Sequence, residues 1–302
     1  MHRILLIGTT GQIGRELQGT LAPLGTIIPA GCVGEDLWVD LAKPETIESA
    51  IREAAPDVVI NAAAYTAVDQ AESEAGLAKH INADAPGVMA EAARRAGALL
   101  IHYSTDYVFD GSKKDGYKET DVPNPINSYG RSKLAGERAI EAVGGRYLIL
   151  RTSWIYGLHG RNFLLTMLSR AKTQASLRVV DDQFGTPNWS RKVAEGTAGI
   201  LSALDDRPER LQSVAETYHL SARGETSWCR FARAILEIVG DDPGVVAQKV
   251  EAVTTADYPT PAKRPKHSLL DCDKLKRDLG IQLAHWKQSL GDCLWERGRP
   301  ET

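Results

Sequence analysis

Charge of one sign is what this sequence lacks most plainly. Its 36 Lys and Arg stand against 39 Asp and Glu, a formal net charge of -3 over 302 residues. A chain so balanced presents no strong field to gather nucleic acid. Long hydrophobic runs are missing too, and none approaches the ~18–20 residues of a membrane span. Met1-His2-Arg3-Ile4 run directly into an apolar stretch, leaving no room for a signal peptide. The expectation is a cytoplasmic protein with neither membrane nor nucleic-acid partner. Cysteine is scarce: Cys32, Cys229, Cys272 and Cys293 show no C-x-x-C spacing. That excludes a disulfide framework and suits reduced thiols. The 7 His include no H-x-x-x-H pair, so a zinc site built by the protein is not expected. Internal repeats and low-complexity segments are absent as well.

What is there is ordinary in bulk, 43% hydrophobic and 25% charged, as in soluble globular proteins. The length exceeds one compact core and falls short of three. Ile4-Leu5-Leu6-Ile7 is a short continuous apolar run, the pattern of a strand buried on both faces of a parallel sheet. Gly8-Thr9-Thr10-Gly11-Gln12-Ile13-Gly14 follows at once, and then the helical pattern Arg15-Glu16-Leu17-Gln18. Strand, glycine loop and helix together make a phosphate cradle. The spacing is G-x-x-G-x-x-G rather than G-x-G-x-x-G.

Thr26 to Ala30 reads as the second strand. In NAD enzymes an acidic residue near its end receives the adenine ribose 2′-hydroxyl. Here the chain reads Gly31-Cys32-Val33-Gly34, with no carboxylate to repel a 2′-phosphate. Arg15 is a candidate cation for that phosphate, or else a solvated helix residue. This points to NADPH, with NADH possible. Asp40-Leu41 precedes a helix that opens at Pro44; Asp40 either meets the adenine or caps that helix. Asp57 to Asn61 is a third strand. The small residues Ala62, Ala63 and Ala64, with Tyr65 and Thr66, follow at its carboxyl end, where a cofactor lies close to the backbone. Residues 70 to 96 read as one long helix or a pair, with Asn82 inside as a brace or, more simply, a packing residue.

The chemistry concentrates at Ser128-Tyr129-Gly130-Arg131-Ser132-Lys133. Pro123 and Pro125 bar a helix before it, and the Ala/Leu/Glu/Lys/Arg run from Ser132 to Val143 favours one after it. Tyr129 and Lys133 are four apart, hence on one helical face. An ammonium beside a phenol lowers its pKa below the usual ~10 and fits it to protonate a forming alkoxide. Upstream, Leu99 to Ser104 reads as a buried strand ending in Ser104-Thr105-Asp106. That completes a Ser/Thr–Tyr–Lys constellation at the carboxyl end of a sheet.

Tyr147 to Arg151 is the next strand. Trp154 leaves its end at the mouth of the site, either stacking on a sugar or base or packing in the core. From there the pattern becomes a smaller α+β lobe. Its loop carries Lys263, Arg264 and Lys266, which make a solvated cluster or a diphosphate clamp. The expected fold is α/β, a Rossmann doubly wound parallel sheet with a smaller, interleaved α+β substrate lobe. Residues 1–156, with 188–222 returning to it, would form the dinucleotide-binding domain. Residues 157–187 and 223–302 would form the lobe.

The ordered set Gly8-x-x-Gly11-x-x-Gly14, Asn61-Ala62-Ala63-Ala64, Ser104-Thr105-Asp106 and Tyr129-x-x-x-Lys133 resembles the extended short-chain dehydrogenase/reductase superfamily. Further stretches sharpen the resemblance to the dTDP-4-dehydrorhamnose reductases. They are residues 64–72, 104–111, 151–157, 182–187 and 258–265. The resemblance implies NAD(P)H-dependent reduction of the 4-keto group of dTDP-4-dehydro-L-rhamnose, the last step of dTDP-rhamnose biosynthesis. It implies Thr105 as the hydroxyl that orients the carbonyl, Tyr129 as proton donor and Lys133 as its lysine. It places Gly11, Gln12, Ile13, Asp40, Leu41, Ala64, Tyr65, Thr66 and Tyr103 at cofactor positions, and Asp106 and Trp154 at sugar-nucleotide positions. Some members dimerise through Mg²⁺ held by glutamates. Glu16 matches one of them, but Arg191 stands where a second is expected, and a cation there opposes a metal. A monomer or weak homodimer without a metal bridge is therefore expected. Two alternatives stay open. One is another sugar-nucleotide epimerase or reductase of the superfamily, which would keep and recycle bound NAD. The other is a non-catalytic regulatory subunit resembling the methionine adenosyltransferase β subunit, which would have no need of Thr105, Tyr129 and Lys133.

Overall fold

A computed structural model of the chain describes residues 1–298; the last four residues of the expected 223–302 segment lie outside it. The frame is a seven-stranded parallel sheet. In chain order its first six strands are β1 (His2–Ile7), β2 (Gly25–Gly31), β3 (Leu37–Trp38), β4 (Val58–Asn61), β5 (Leu99–Thr105) and β6 (Tyr147–Thr152). Across the sheet the order is Ala215–His219, β6, β5, β4, β1, β2, β3. The order reverses direction at β1, so a crevice opens beyond the carboxyl ends of β1 and β4, where doubly wound folds bind ligands. The sequence reading missed β3. It is two residues long and carries no periodicity, so Tyr147–Thr152 is the sixth strand rather than the fifth.

The central strands are buried and mostly apolar because helices cover both faces, with polar residues gathered toward their carboxyl ends. One core cluster joins Ile4, Leu6, Leu17, Ile60, Ile101 and Leu150 to helix Ser190–Asp205. A second, on the other face, joins Leu5, Ile7, Ile47, Val59, Met89 and Ile149. A third is separate. In it Tyr156, Leu164, Leu177, Phe231, Trp286 and Leu290 pack around helix Trp228–Val239 and the parallel pair Ser176–Val180 with Lys249–Val253.

Residues 75–96 form one unbroken helical run with a widened turn inside it, and residues 70–74 stand apart from it. A single turn, Gln70–Glu72, precedes helix Ala75–Lys79, a widened π turn at His80–Asp84, and helix Ala85–Ala96. Pro86 supplies part of the reason, since it has no N–H to give the preceding turn. Gly97, at φ 69°, ends the last helix with its N–H on Ala93 and Arg94 carbonyls.

Candidate active site

The glycine loop after β1 shows why these positions are glycine. Gly8 has φ 89°, and a Cβ there would meet Ala63 N at 2.7 Å. A Cβ on Gly14 would meet the Gly8 carbonyl oxygen at 2.0 Å. The loop is thus folded on itself, and the Gln12–Leu21 helix (α1) opens from Gly11 with no side-chain cap. Its uncapped N–H groups and dipole suit a diphosphate, so the chain fits a dinucleotide. Gln12 is fixed by the Asn162 amide, 2.9 Å from its Oε1. Ile13 packs against the core and Arg15 is exposed.

Sequence alone placed no carboxylate beside β2. The structure corrects this: Glu35 folds back over Gly31, and its carboxylate accepts a hydrogen bond from the Thr9 hydroxyl of the glycine loop. A residue four positions beyond the strand end reaches the phosphate loop through a turn, which no local spacing announces. Asp40 caps no helix. Its Oδ1 accepts from Ala42 N at 2.9 Å, and Lys43 occupies the cap position instead. Leu41 is buried beside it.

Asn82 braces rather than merely packs. Its amide donates to the Tyr65 carbonyl at 2.9 Å and to Ser132 Oγ at 3.0 Å, and its Oδ1 accepts from Tyr65 N at 2.8 Å. It ties the Ala63-Ala64-Tyr65-Thr66 turn to the helix that carries Tyr129. That helix, Ser128–Val143, starts where expected. Asn127 accepts from Gly130 N at 2.7 Å, and Glu72 accepts from Ser128 N at 2.7 Å.

Thr105 ends β5, and its hydroxyl acts on the Tyr129 phenol to lower its pKa. It also donates to Asp106 Oδ1 at 3.1 Å. Lys133 is buried on the same helix as Tyr129. Here the expected electrostatics are overturned. Burial pushes the Tyr129 phenol up to about 12, against the smaller lowering from Thr105. Lys133 does not offset this, because its Nζ is turned to the Tyr103 carbonyl (2.7 Å) and to His102 Nε2 (3.1 Å). Burial brings Lys133 itself down to about 8, partly opposed by Glu137 one turn on. Tyr129 is thus a neutral acid at pH 7. The Tyr103 phenol points elsewhere, to Thr197 at 2.7 Å; what it gives the site is its carbonyl.

Asp106 is buried, and burial lifts its carboxyl to about 7. Its Oδ2 and the Thr152 hydroxyl have no hydrogen-bond partner among the described residues. Trp154, at φ 43°, stacks on Trp228 with ring centroids 3.5 Å apart and planes 6° from parallel. Arg264 is no free clamp, since Asp69 holds it through two contacts of 3.0 and 2.7 Å. Its charge acts on the Tyr107 phenol nearby, and the Tyr107 ring meets Tyr129 edge-on at 5.9 Å. Asp69 and Arg264 line a cavity of about 320 Å³ with Arg170, Arg178, Tyr258 and Trp228. The sequence reading missed Arg170, Arg178 and Tyr258 as site residues; nothing in their spacing sets them apart from solvated positions. Lys263 and Lys266 are exposed on the neighbouring loop.

Glu16 and Arg191 meet within the chain. Arg191 Nε lies 2.7 Å from Glu16, and its Nη1 lies 2.9 Å from Glu296.

A family model described as RmlD substrate binding domain matches residues 1–298. The chain is 44% identical over 295 residues to the dTDP-4-dehydrorhamnose reductase of Burkholderia thailandensis, covering 97% of this chain and 98% of that one. It is 43% identical over 285 residues to the Escherichia coli K12 dTDP-4-dehydrorhamnose reductase, at 94% of each. Among solved structures, the Bacillus anthracis dTDP-4-dehydrorhamnose reductase in complex with NADP superposes with a TM-score of 0.86. It has 33% identity, with 98% and 99% of the two chains covered. A Clostridium acetobutylicum dTDP-4-dehydrorhamnose reductase gives a TM-score of 0.88 at 37% identity, with the same coverage. UDP-glucose 4-epimerase of Thermotoga maritima, at 19% identity and a TM-score of 0.79, shares the fold.

Proposed function

The chain belongs to the RmlD substrate binding domain family, and we propose that it works as an NAD(P)H-dependent dTDP-4-dehydrorhamnose reductase. It reduces the 4-keto group of dTDP-4-dehydro-L-rhamnose to dTDP-L-rhamnose, in the cytoplasm. The observation that carries this reading is Thr105 at the end of β5 acting on the Tyr129 phenol, with buried Lys133 on the same helix, beside a glycine loop shaped for a diphosphate. Residues 1–156 with 188–222 hold the cofactor; 157–187 and 223–302 hold the sugar nucleotide.

NADPH, or NADH, supplies the hydride when bound. Gly8, Gly11 and Gly14 let its diphosphate approach the backbone, with Gln12 and Ile13 at the helix start. Arg15, Asp40 and Leu41 border the adenosine end. Ala63, Ala64, Tyr65, Thr66 and the Tyr103 carbonyl border the rest. Thr105 orients the substrate carbonyl. Tyr129, neutral at working pH, gives its phenolic proton to the forming alkoxide. Lys133 stabilises the phenolate that this leaves. Asp106 and Trp154 face the sugar. Arg264, backed by Arg170 and Arg178, sets the positive potential for the substrate diphosphate. Loss of NADPH absorbance on addition of dTDP-4-dehydro-L-rhamnose tests the assignment; a protein that carries bound NAD and consumes no cofactor would defeat it.

Cofactor choice is expected to hang on Arg15 and Glu35. Arg15→Ala should lower kcat/KM for NADPH about tenfold relative to NADH, the weight of one charge-assisted contact. Glu35→Gln should move the ratio the other way. Steady-state kinetics with both cofactors checks this, and unchanged ratios in both variants would refute it.

The assembly is expected to ignore Mg²⁺. Arg191 already neutralises Glu16, and Mg²⁺ needs oxygen ligands rather than a guanidinium beside it. Arg191 is partly exposed, so its ion pairs stabilise the fold by only about 0–1 kcal/mol. Light scattering in EDTA and in excess Mg²⁺ should give one mass. A dimer seen only with Mg²⁺ would contradict the expectation.

A further inference from the structure

One buried side chain, Asn127, ties the start of the Tyr129 helix to the loop that carries Arg264. Its Oδ1 accepts from Gly130 N at 2.7 Å, and its Nδ2 donates to the Lys263 carbonyl at 2.8 Å. A backbone N–H only donates and a carbonyl only accepts, so the amide has one orientation, with both ends satisfied. Two further contacts close a ring. Asp69 accepts from Ala262 N at 3.1 Å and holds the Arg264 guanidinium at 3.0 and 2.7 Å. Three residues on, Glu72 accepts from Ser128 N at 2.7 Å. Segments 69–72, 127–130 and 262–264 therefore each bond the other two, although they are far apart in the chain. Tyr129 stands on one of them and Arg264 on another. The joint has no slack at the helix start, where a Cβ on Gly130 would meet the Tyr107 carbonyl oxygen at 2.1 Å. Asp69 is half-buried and Glu72 exposed, whereas Asn127 is buried. Water competes for the first two sets of bonds and not for the third, so the Asn127 tie is the firmest of the three.

From this ring we propose that Asn127 is a positioning residue for the sugar nucleotide. Acting through the Lys263 carbonyl, it holds Arg264 at a set span from the Tyr129 phenol, so that a diphosphate on Arg264 brings its sugar carbonyl to the acid. The inference rests on the proposed role of Arg264 in the reductase, though not for the hydrogen bonds. The cofactor side is braced separately, by Asn82 between Tyr65 and Ser132. Cofactor binding is therefore an internal control.

The two ends of the amide can be removed one at a time. Asn127→Ser keeps a cap oxygen for Gly130 N but has no donor that reaches Lys263, and Asn127→Ala removes both. Titrations of the full chain with dTDP and, separately, with NADPH read the effect, beside urea unfolding and steady-state kinetics. In Asn127→Ser, dTDP affinity should weaken about fivefold, the weight of one hydrogen bond, and KM for the sugar nucleotide should rise with it. Its kcat, NADPH affinity and urea midpoint should stay as in the wild type. Asn127→Ala should show the same loss of dTDP together with a lower urea midpoint, from the missing cap. Wild-type dTDP binding in Asn127→Ser, or an equal loss of NADPH binding, would overturn the proposal. An Arg264→Ala background supplies the second arm. There Asn127→Ser should weaken dTDP no further, and a second full loss would show that Asn127 does not act through Arg264. The dTDP titration needs no turnover, so failure of the tie is separable from failure of the reductase reading.

Discussion

Replacing Tyr129 by Phe is expected to lower kcat by about 10²–10⁴-fold, the span of general acid catalysis, while cofactor affinity stays within about twofold of wild type. The phenol is the only group lost. The helix start is held independently by Asn127 and Glu72, and the ring keeps its edge-on contact with Tyr107. Because burial holds Tyr129 near 12 in the free protein, it carries its proton across the whole working range. The wild-type rate should therefore not fall for want of that proton between pH 6 and 9. Rapid-quench turnover with a cofactor-binding titration makes the check. A folded Tyr129→Phe enzyme retaining more than half of kcat would remove Tyr129 from the role of acid.

The largest loss of stability should come from Glu137→Ala. Glu137 and Arg151 are both buried and joined by two contacts, 2.9 Å from Nε and 2.6 Å from Nη2. Removing the carboxylate leaves a guanidinium uncompensated in the core, at a cost of about 3–5 kcal/mol. The Phe109 face, 5.2 Å from the guanidinium carbon, softens this only in part. The paired replacement Glu137→Leu with Arg151→Met should recover most of the loss, since it leaves no charge behind. Urea unfolding of the three variants measures both effects. A single variant costing less than 1 kcal/mol would mean that water or backbone already satisfies Arg151.

What could be read without coordinates was whatever depends on neighbours in the chain. The glycine loop is contiguous with β1 and α1, and Tyr129 and Lys133 share a face through helix geometry alone. What escaped depends on the third dimension. The direction of the Tyr129 shift was misjudged because spacing puts Lys133 nearby but cannot say that Tyr103 and His102 claim its amine. Glu35 escaped because its turn folds back across space. Arg170 and Arg178 escaped because a cavity wall has no sequence pattern. Arg264 was found, but its tie to Asp69, 195 positions away, was not visible. Resemblance set Glu16 and Arg191 side by side at a metal bridge between subunits, whereas the structure pairs them within one chain.

The Trp154–Trp228 stack has a consequence outside chemistry. Two indoles held face to face at 3.5 Å and within 6° of parallel share their electronic excitation. One ring leaves the end of β6 and the other opens helix Trp228–Val239, which borders the cavity. Their joint signal in near-ultraviolet circular dichroism is therefore an optical ruler built into the molecule. It reports relative movement of these two elements without any attached dye.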